Sequence, residues 1–264
     1  MKALAALLWL ALVSAASAAA PVLHIASSEW PPYAGPRLPG QGTALQTLRE
    51  AARAEGAEIR AHFLPWSRVL VQAGTRQSGI IGFAPEYRSR SGEQRWLFTR
   101  PIGYSPVGFA ERADRPVVWA TLADLRNKRI GVVRGYVNED AFDRTVAKGQ
   151  LRVEAVNDDL GNLRKLKAGR LDLVVIDARV FEYLIATTPE LRRPGPVLRM
   201  NPRLLAVHSL HAAFRRDPEG QAAWALMERG LARQPPPLPE GLGAELLPPD
   251  EEPGTPQRPR PRGP

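Results

Sequence analysis

The sequence contains no cysteine among its 264 residues. The chain can therefore form no disulfide, no thiolate metal site and no thiol nucleophile. Cross-links are therefore not available to hold the fold. Its stability must come from apolar cores.

Other signals of cofactor or catalytic chemistry are missing as well. The segment GQGTAL, which begins at Gly40, lacks the third glycine of a dinucleotide-binding loop and does not follow a clear strand. No serine lies in a nucleophile elbow. The four histidines have neither the spacing nor the cysteine partners of a metal site. These are His24, His62, His208 and His211. We therefore expect no cofactor and no metal.

Long hydrophobic runs are absent beyond the first twenty residues, so no membrane-spanning helix is expected. The chain starts with Lys2, an apolar stretch over residues 3–13 and the small residues Ala16, Ser17 and Ala18. This is the pattern of a secretory signal peptide, and the apolar stretch is too short to span a bilayer. We expect a signal peptide over residues 1–20, cleaved after Ala18 or Ala20, and an exported protein.

Acidic side chains are fewer than basic ones, 27 against 36, which gives a formal net charge of +9. The basic residues are spread along the chain, which indicates a solvated surface, and no nucleic-acid partner is expected. Prolines come in runs after Gln234, and residues 235–264 offer little apolar surface to bury. We expect this segment to be a disordered, Pro-rich tail.

What the sequence does contain is one alternation of strands and helices that occurs twice, at residues 22–83 and 129–177. The third strand of the first copy is expected at 80–83. In the second copy, a helix ends at Gly169 and the fully apolar run 173–176 follows, as in a strand buried on both faces. A β-α-β-α-β order predicts a parallel sheet. We therefore expect an α/β protein of two lobes, each a mainly parallel sheet flanked by helices.

Extended segments connect the two copies. Residues 106–111 lack helical periodicity and are predicted to cross from one lobe to the other. Two separate strands are expected near 197–200 and at 211–215, and an amphipathic helix over 218–231 follows them. The chain thus passes between the lobes and returns to the first.

The carboxyl ends of the parallel strands are where ligands of such sheets bind. In the second copy, this edge holds Gly135, Tyr136, Asn138 and Asp177. Asn138 is predicted to cap the next helix, and the backbone N–H groups of residues 136–139 would form a helix start suited to anions. Asp177 directly follows a buried strand, so it either caps the following helix, binds a cation, or does both.

Five segments, in this order and spacing, resemble a known family. They are SSEWPPY, LPWSRVL, FTRPIGYSPVGFAER, IGVVRGYVNEDAF and NLRKLKAGRLDLVVID. They are similar to the bacterial extracellular solute-binding proteins of family 3, the type II periplasmic binding proteins associated with polar amino acid uptake. The resemblance covers residues 21–234.

The resemblance implies a clamp of two lobes joined by two hinge segments, with a solute held in the cleft. Lobe 1 would comprise residues 21–108 and 205–234, and lobe 2 with the hinges residues 109–204. The protein would be a periplasmic monomer without enzymatic activity. It would capture a small polar, amino-acid-like solute for an ABC-type permease.

Several site residues follow from the resemblance. Trp30 matches the aromatic residue that packs against the solute, and the two prolines after it present Trp30 and Tyr33 in defined directions. Trp66 matches a second aromatic wall. The alternative for both tryptophans is packing on the sheet of lobe 1. Asp177 matches the aspartate that pairs with a solute ammonium.

An arginine is also expected to bind the solute carboxylate through its planar guanidinium. Either Arg88 or Arg90 matches that position, and the other would then lie on the surface.

The chain departs from the family pattern where small hydroxyl residues usually stand. Bulky or apolar residues replace several of these donors for an α-carboxylate. The departures are at Phe83, Ala84, Glu86, Tyr136 and Val137. Glu86 adds negative charge near the cleft, or is exposed on its loop. An ordinary amino acid is therefore a poor candidate ligand, and a more cationic solute is favoured.

Two other functions remain open at this stage. Some proteins of this fold are enzymes, such as periplasmic dehydratases, and here Glu86 and Asp177 are the only candidates for a buried general acid or base. The protein could also be a receptor whose closed form is read by a sensor rather than by a permease.

Overall fold

A computed structural model of the chain describes residues 20–192, 195–234 and 236. The expected signal peptide (residues 1–20) lies outside the described residues except for Ala20. The expected Pro-rich tail (235–264) lies outside them except for Pro236. Within the described part of the chain, no helix is long and apolar enough to cross a membrane.

Lobe 1 contains the first β-α-β-α-β unit, as predicted. Its elements are β1 (Val22–Ser27), α1 (Thr43–Ala54), β2 (Glu58–Phe63), α2 (Trp66–Gly74), β3 (Gly82–Tyr87), α3 (Arg90–Glu93) and β4 (Trp96–Phe98). Strands β2 and β3 both pair with β1 in parallel. Helix α1 buries Leu45, Leu48 and Ala52, which recur every three or four residues, against this sheet.

The predicted position of the third strand was wrong by several residues. The chain turns at Gly79, whose φ of 72° favours glycine, and β3 starts only at Gly82. Beyond a bulge, β3 continues to pair with a neighbouring strand as far as Tyr87. As a consequence, Glu86 and Tyr87 lie on a strand rather than in a loop.

Lobe 2 contains the second unit, again as predicted. A long strand, β5 (Gly103–Arg112), leads into it. Its other elements are β6 (Arg129–Val133), α4 (Asp140–Ala147), β7 (Arg152–Val156), α5 (Asp159–Lys167), β8 (Leu173–Asp177), α6 (Ala178–Thr187) and α7 (Pro189–Arg192). Strands β7 and β8 pair with β6 in parallel, and the five residues of β8 are all buried.

The two strands expected near 197–200 and at 211–215 are in fact one strand, β9 (Leu198–Arg215), followed by α8 (Pro218–Arg233). The prediction divided it because its middle residues do not alternate cleanly between apolar and polar. They remain extended because they pair with β5 from Arg112↔Leu198 to Gly103↔Leu210. β5 and β9 are thus the two hinge segments between the lobes.

The nine strands of the described residues form one mixed sheet, in the order β2-β1-β3-β9-β5-β8-β6-β7, with β4 also paired to β9. One buried apolar cluster extends through both lobes and includes Ile25 and Met227 from lobe 1 and Leu163 from lobe 2. A second cluster lies in lobe 2, where Ile130 and Phe142 are fully buried.

Candidate ligand-binding cleft

The carboxyl ends of the two parallel strand sets meet at one junction. Tyr33 follows β1 in lobe 1, and Asp177 ends β8 in lobe 2. The Tyr33 hydroxyl donates a hydrogen bond to Asp177 Oδ2 at 2.8 Å. This contact joins the two lobes at the edge where their parallel strands end.

Asp177 accepts hydrogen bonds at both carboxylate oxygens. Oδ1 accepts from the backbone N–H groups of Arg179 and Val180, at 2.7 and 2.9 Å, so Asp177 caps α6. Oδ2 accepts from the hydroxyls of Tyr33 and Ser105. Burial raises the pKa of Asp177 above its ordinary value, and the lowering effect of these four donors offsets this only in part. The capping role predicted for Asp177 is therefore confirmed.

Aromatic rings line the lobe 1 side of the junction. Trp30 meets Tyr33 and Tyr87 edge to face, with ring centroids 5.2 and 5.5 Å apart. Tyr87 also lies 4.7 Å from the His208 ring. Trp30 is only partly buried, so it retains surface that a ligand could contact.

A chain of hydroxyls connects this aromatic cluster to Asp177. The Tyr87 hydroxyl lies 2.7 Å from Ser105 Oγ. Because the Ser105 proton goes to Asp177, Tyr87 must donate to Ser105. On the other side of the cluster, His208 Nε2 lies 2.5 Å from the Asn138 carbonyl oxygen in lobe 2.

Sequence reasoning missed Tyr87, Ser105 and His208 as members of this cluster. Ser105 and His208 lie on the hinge strands β5 and β9, and Tyr87 lies where β3 was predicted to have ended. The sequence does contain a signal for them, because each of these polar side chains interrupts a mainly apolar strand segment. Such a residue is a candidate for a polar cluster.

The loop after β6 differs from its prediction. Glu139, not Asn138, is the N-cap of α4, because its carboxylate accepts from the N–H groups of Ala141 and Phe142. Asn138 is buried instead, and both its side-chain amide and its backbone N–H donate to Asp143. Two of the four N–H groups expected to bind an anion are thus used internally, since Tyr136 N–H donates to the Val133 carbonyl.

The same loop nevertheless presents apolar surface. Gly135 has a φ of 80°, which turns the chain sharply after β6. The next two side chains are exposed, Tyr136 by 55% and Val137 by 42%. The Tyr136 ring lies near enough to Asp158 and Asp159 for their charges to raise its pKa, although burial raises it more.

Two carboxyl groups in this region have strongly raised pKa values. Burial raises the pKa of Glu86 to about 7, against the lowering effect of a hydrogen bond from the Tyr87 N–H. Burial, followed by the charges of Asp177 and Asp158, raises the pKa of Asp159 to about 7. Within the described residues, no hydrogen bond reaches the Asp159 carboxylate.

Asp159 was also missed by sequence reasoning. Asp158 is the N-cap of α5 and accepts from the Gly161 N–H. Asp159 follows it, and an acidic residue in the first turn of a helix is common because it stabilises the helix dipole. Its proximity to Asp177 arises only because β7 and β8 lie on either side of β6.

Three other predicted site residues lie away from the Asp177 junction. Trp66 begins α2, is 42% exposed, and contacts Phe83 edge to face at 5.8 Å. Arg88 is exposed and forms an ion pair with Glu93. Arg90 is exposed at the start of α3.

The remaining histidines make local contacts. His24 Nδ1 and His62 Nε2 lie 2.8 Å apart. His211 is buried against the Thr99 carbonyl oxygen, and burial lowers its pKa to about 4. Among the described residues, no group of three or more His, Cys, Asp or Glu side chains could hold a metal ion.

The fold resembles that of solved ligand-binding proteins. The glutamate-bound ligand-binding core of GluR0 from Nostoc punctiforme matches with a TM-score of 0.58 and 19% identity, over 80% of this chain and 92% of that one. The arginine-bound form of truncated ArgBP from T. maritima matches with a TM-score of 0.59 and 19% identity, over 80% and 95% of the two chains.

A histidine kinase sensor domain with similarity to periplasmic binding proteins matches with a TM-score of 0.62 and 19% identity, over 81% of this chain and 90% of that one. No protein-family model and no curated protein matches the sequence. The chain has the two-lobe fold of the type II periplasmic binding proteins. That prediction is confirmed.

Proposed function

We propose that the protein is an exported solute-binding protein that holds a small, polar, positively charged solute between its lobes. One observation carries the proposal. Asp159 is partly buried close enough to Asp177 for the two charges to interact, at the junction of two lobes joined by extended strands, and within the described residues no hydrogen bond reaches its carboxylate. An acid without donors in such a position is typical of functional sites. Burial raises the pKa of Asp159 and of Glu86, a second acid in lobe 1, to about 7.

The chemistry of the solute follows from these charges. Near neutral pH, Asp159 ionises beside Asp158 and Asp177, so negative charges repel one another there. A cation would relieve this repulsion and would favour the ionised forms. Cationic amino acids and polyamines fit this requirement better than neutral or acidic amino acids do.

Aromatic surface would form the walls of the site. Trp30 and Tyr136 are partly or largely exposed, one in each lobe. A ring face attracts cations and binds apolar stems at little entropic cost. Trp66 would extend the wall at the lobe 1 rim, and Gly135 and Asn138 would set the shape of the lobe 2 loop.

The proposal can be tested by finding a solute and then replacing the acidic side chains with their neutral amides. We propose screening the purified protein by thermal shift against cationic amino acids, polyamines and their neutral and acidic analogues. For a solute that stabilises the protein, Asp159→Asn and Glu86→Gln should each weaken calorimetric binding, by about tenfold or more for a partly buried charge pair.

Asp114→Asn is the matched control. It removes one negative charge from an exposed pair with Arg112 and should leave binding unchanged. Binding only of neutral or acidic solutes, or equal binding by the parent and both site variants, would contradict the proposal.

Two functions are compatible with such binding, and they differ in which protein recognises the solute-bound form. Delivery to an ABC-type permease fits the amino-acid-like cleft, and a monomer in the periplasm would suffice for it. Sensing is the second candidate, because a histidine kinase sensor domain has the same fold. Co-purification of the solute-loaded protein with a membrane permease or with a kinase would separate them.

A further inference from the structure

The hydrogen bond between Tyr33 and Asp177 joins the two lobes directly. Tyr33 belongs to the loop after β1, and Asp177 ends β8, so the two residues lie 144 positions apart in the chain. The chain itself connects the lobes through the paired strands β5 and β9. The hydroxyl–carboxylate bond is therefore a side-chain link across the cleft.

The link completes the hydrogen bonding of Asp177. A carboxylate offers about four lone-pair positions. Two are taken by the N–H groups of Arg179 and Val180, and two by the hydroxyls of Tyr33 and Ser105. Asp177 consequently has no acceptor position left for a solute.

Tyr33 is held where this bond forms. It is only 3% exposed, and its backbone is fixed on both sides, because its N–H donates to the Trp30 carbonyl and its carbonyl accepts from Ala44 N–H. A Cβ at Gly42 would lie 2.4 Å from the Tyr33 carbonyl oxygen, so the loop is tightly packed there. The hydroxyl has one proton and two acceptors, Asp177 at 2.8 Å and the Tyr104 carbonyl at 3.0 Å. The shorter bond to the charged group is the stronger.

We propose that Tyr33 is an internal ligand of Asp177, which takes the place of a solute ammonium and latches the lobes together when the cleft is empty. A solute that uses Asp177 must first displace the hydroxyl, which lowers its apparent affinity. A cation held by Asp159, whose carboxylate accepts no hydrogen bond among the described residues, does not have to. Tyr33 would thus select against ordinary amino acids. This inference relies on the proposed function only for the nature of the solute.

The absence of cysteine allows a direct test in the solute-free protein. Arg37 and Lys148 are exposed, one in each lobe, and can be replaced by cysteines that carry spin labels. Electron–electron resonance then gives the distance distribution between the lobes. The parent should show one short, narrow population. Tyr33→Phe keeps the ring but removes the hydroxyl. It should move the mean distance between the labels by several ångströms and broaden the distribution.

A second variant breaks the same bond from the other side. Asp177→Ser keeps a good N-cap for α6 but is too short to reach the Tyr33 hydroxyl, so it should show the same shift. Tyr183→Phe is the control, because it removes the hydroxyl of a tyrosine on α6 that takes part in none of the hydrogen bonds of Tyr33 or Asp177. It should keep the parent distribution.

A parent-like distribution in either folded variant, or an equal shift in Tyr183→Phe, would overturn the latch. Because these measurements use solute-free protein, that result would not contradict the proposed solute-binding function, which the thermal-shift screen tests separately.

Discussion

Two aspartates at the edge of lobe 2 differ in the hydrogen bonds that their carboxylates accept. Asp177 is buried, and four donors satisfy its carboxylate. Asp159 is partly buried near it, and within the described residues no hydrogen bond reaches its carboxylate, so burial and like charges raise its pKa to about 7. Glu86 is the counterpart of Asp159 in lobe 1.

The difference shows that position alone does not reveal the role of an acid. Asp177 lies at the end of a buried parallel strand, which is the expected place for a ligand contact. Its donors nevertheless make it a structural centre. The acid left without donors is Asp159, and that acid is the better candidate for binding a cation.

The largest expected effect comes from removing the satisfied carboxylate. Asp177→Ala removes the cap of α6 and leaves the hydroxyls of Tyr33 and Ser105 buried without their acceptor. We expect the free energy of unfolding to fall by roughly 2–4 kcal/mol in denaturant titrations.

Asp172→Ala is the matched control at the opposite end of β8. Asp172 is paired with Arg129, and its side chain is 32% exposed, so the loss should be nearer 1 kcal/mol. Equal losses for the two variants would show that the Asp177 network contributes no special stability.

Removing the carboxyl of Asp159 or of Glu86 should have the opposite sign. The pKa values of Glu86 and Asp159 are raised in the folded state to about 7, so the folded protein binds more protons than the unfolded chain between about pH 4 and pH 7. Stability therefore falls as pH rises through this window and is flat above it. Asp159→Asn and Glu86→Gln should each be more stable than the parent at pH 8, by on the order of 1–2 kcal/mol after allowance for partial exposure.

The difference should be much smaller at pH 4, where both carboxyls are neutral in the folded protein and a large share of them is already protonated in the unfolded chain. Urea titrations at the two pH values give the comparison. A variant that is less stable than the parent at pH 8 would mean that its carboxylate has a stabilising partner.

Binding of a cationic solute should follow the same ionisations. Because the solute favours the charged carboxylates, its affinity should rise by about tenfold between pH 6 and pH 8. Calorimetry at the two values measures this, and Asp159→Asn should reduce the dependence. An affinity that does not change with pH would place the solute away from both acids.

The smallest effect is expected at the surface. Arg88 is exposed and paired with Glu93, and exposed pairs of this kind contribute about 0–1 kcal/mol. Arg88→Ala should therefore leave melting almost unchanged and alter solute affinity less than threefold. A loss of tenfold or more would return Arg88 to the site as an anchor for a solute carboxylate.

The parts of the fold that depend on local pattern could be predicted from the sequence. The two β-α-β-α-β units, the crossing strand β5 and the cap at Asp177 all follow from residues close together in the chain. The continuous strand β9 could not, because its middle is held extended by pairing with β5 rather than by its own alternation.

The site could be predicted only in part for the same reason. Trp30, Tyr33 and Asp177 lie where a parallel sheet ends, and the structure brings these three together. Ser105 and His208 join them only through the register of the hinge strands. The raised pKa of Asp159 depends on burial and on the charge of Asp177, which belongs to another strand. No pattern of neighbouring residues in the sequence shows how close Asp159 lies to Asp177.

The difference between the two aspartates can be measured directly by following the side-chain carboxyl carbons of ¹³C-labelled aspartates from pH 4 to pH 9 by NMR. We expect one aspartate of the solute-free protein to titrate near pH 7, its signal to vanish in Asp159→Asn, and its midpoint to move down when a cationic solute is added. If no aspartate titrated above pH 5.5, or if the signal near pH 7 remained in Asp159→Asn, Asp159 would not be the unsatisfied acid of the cleft.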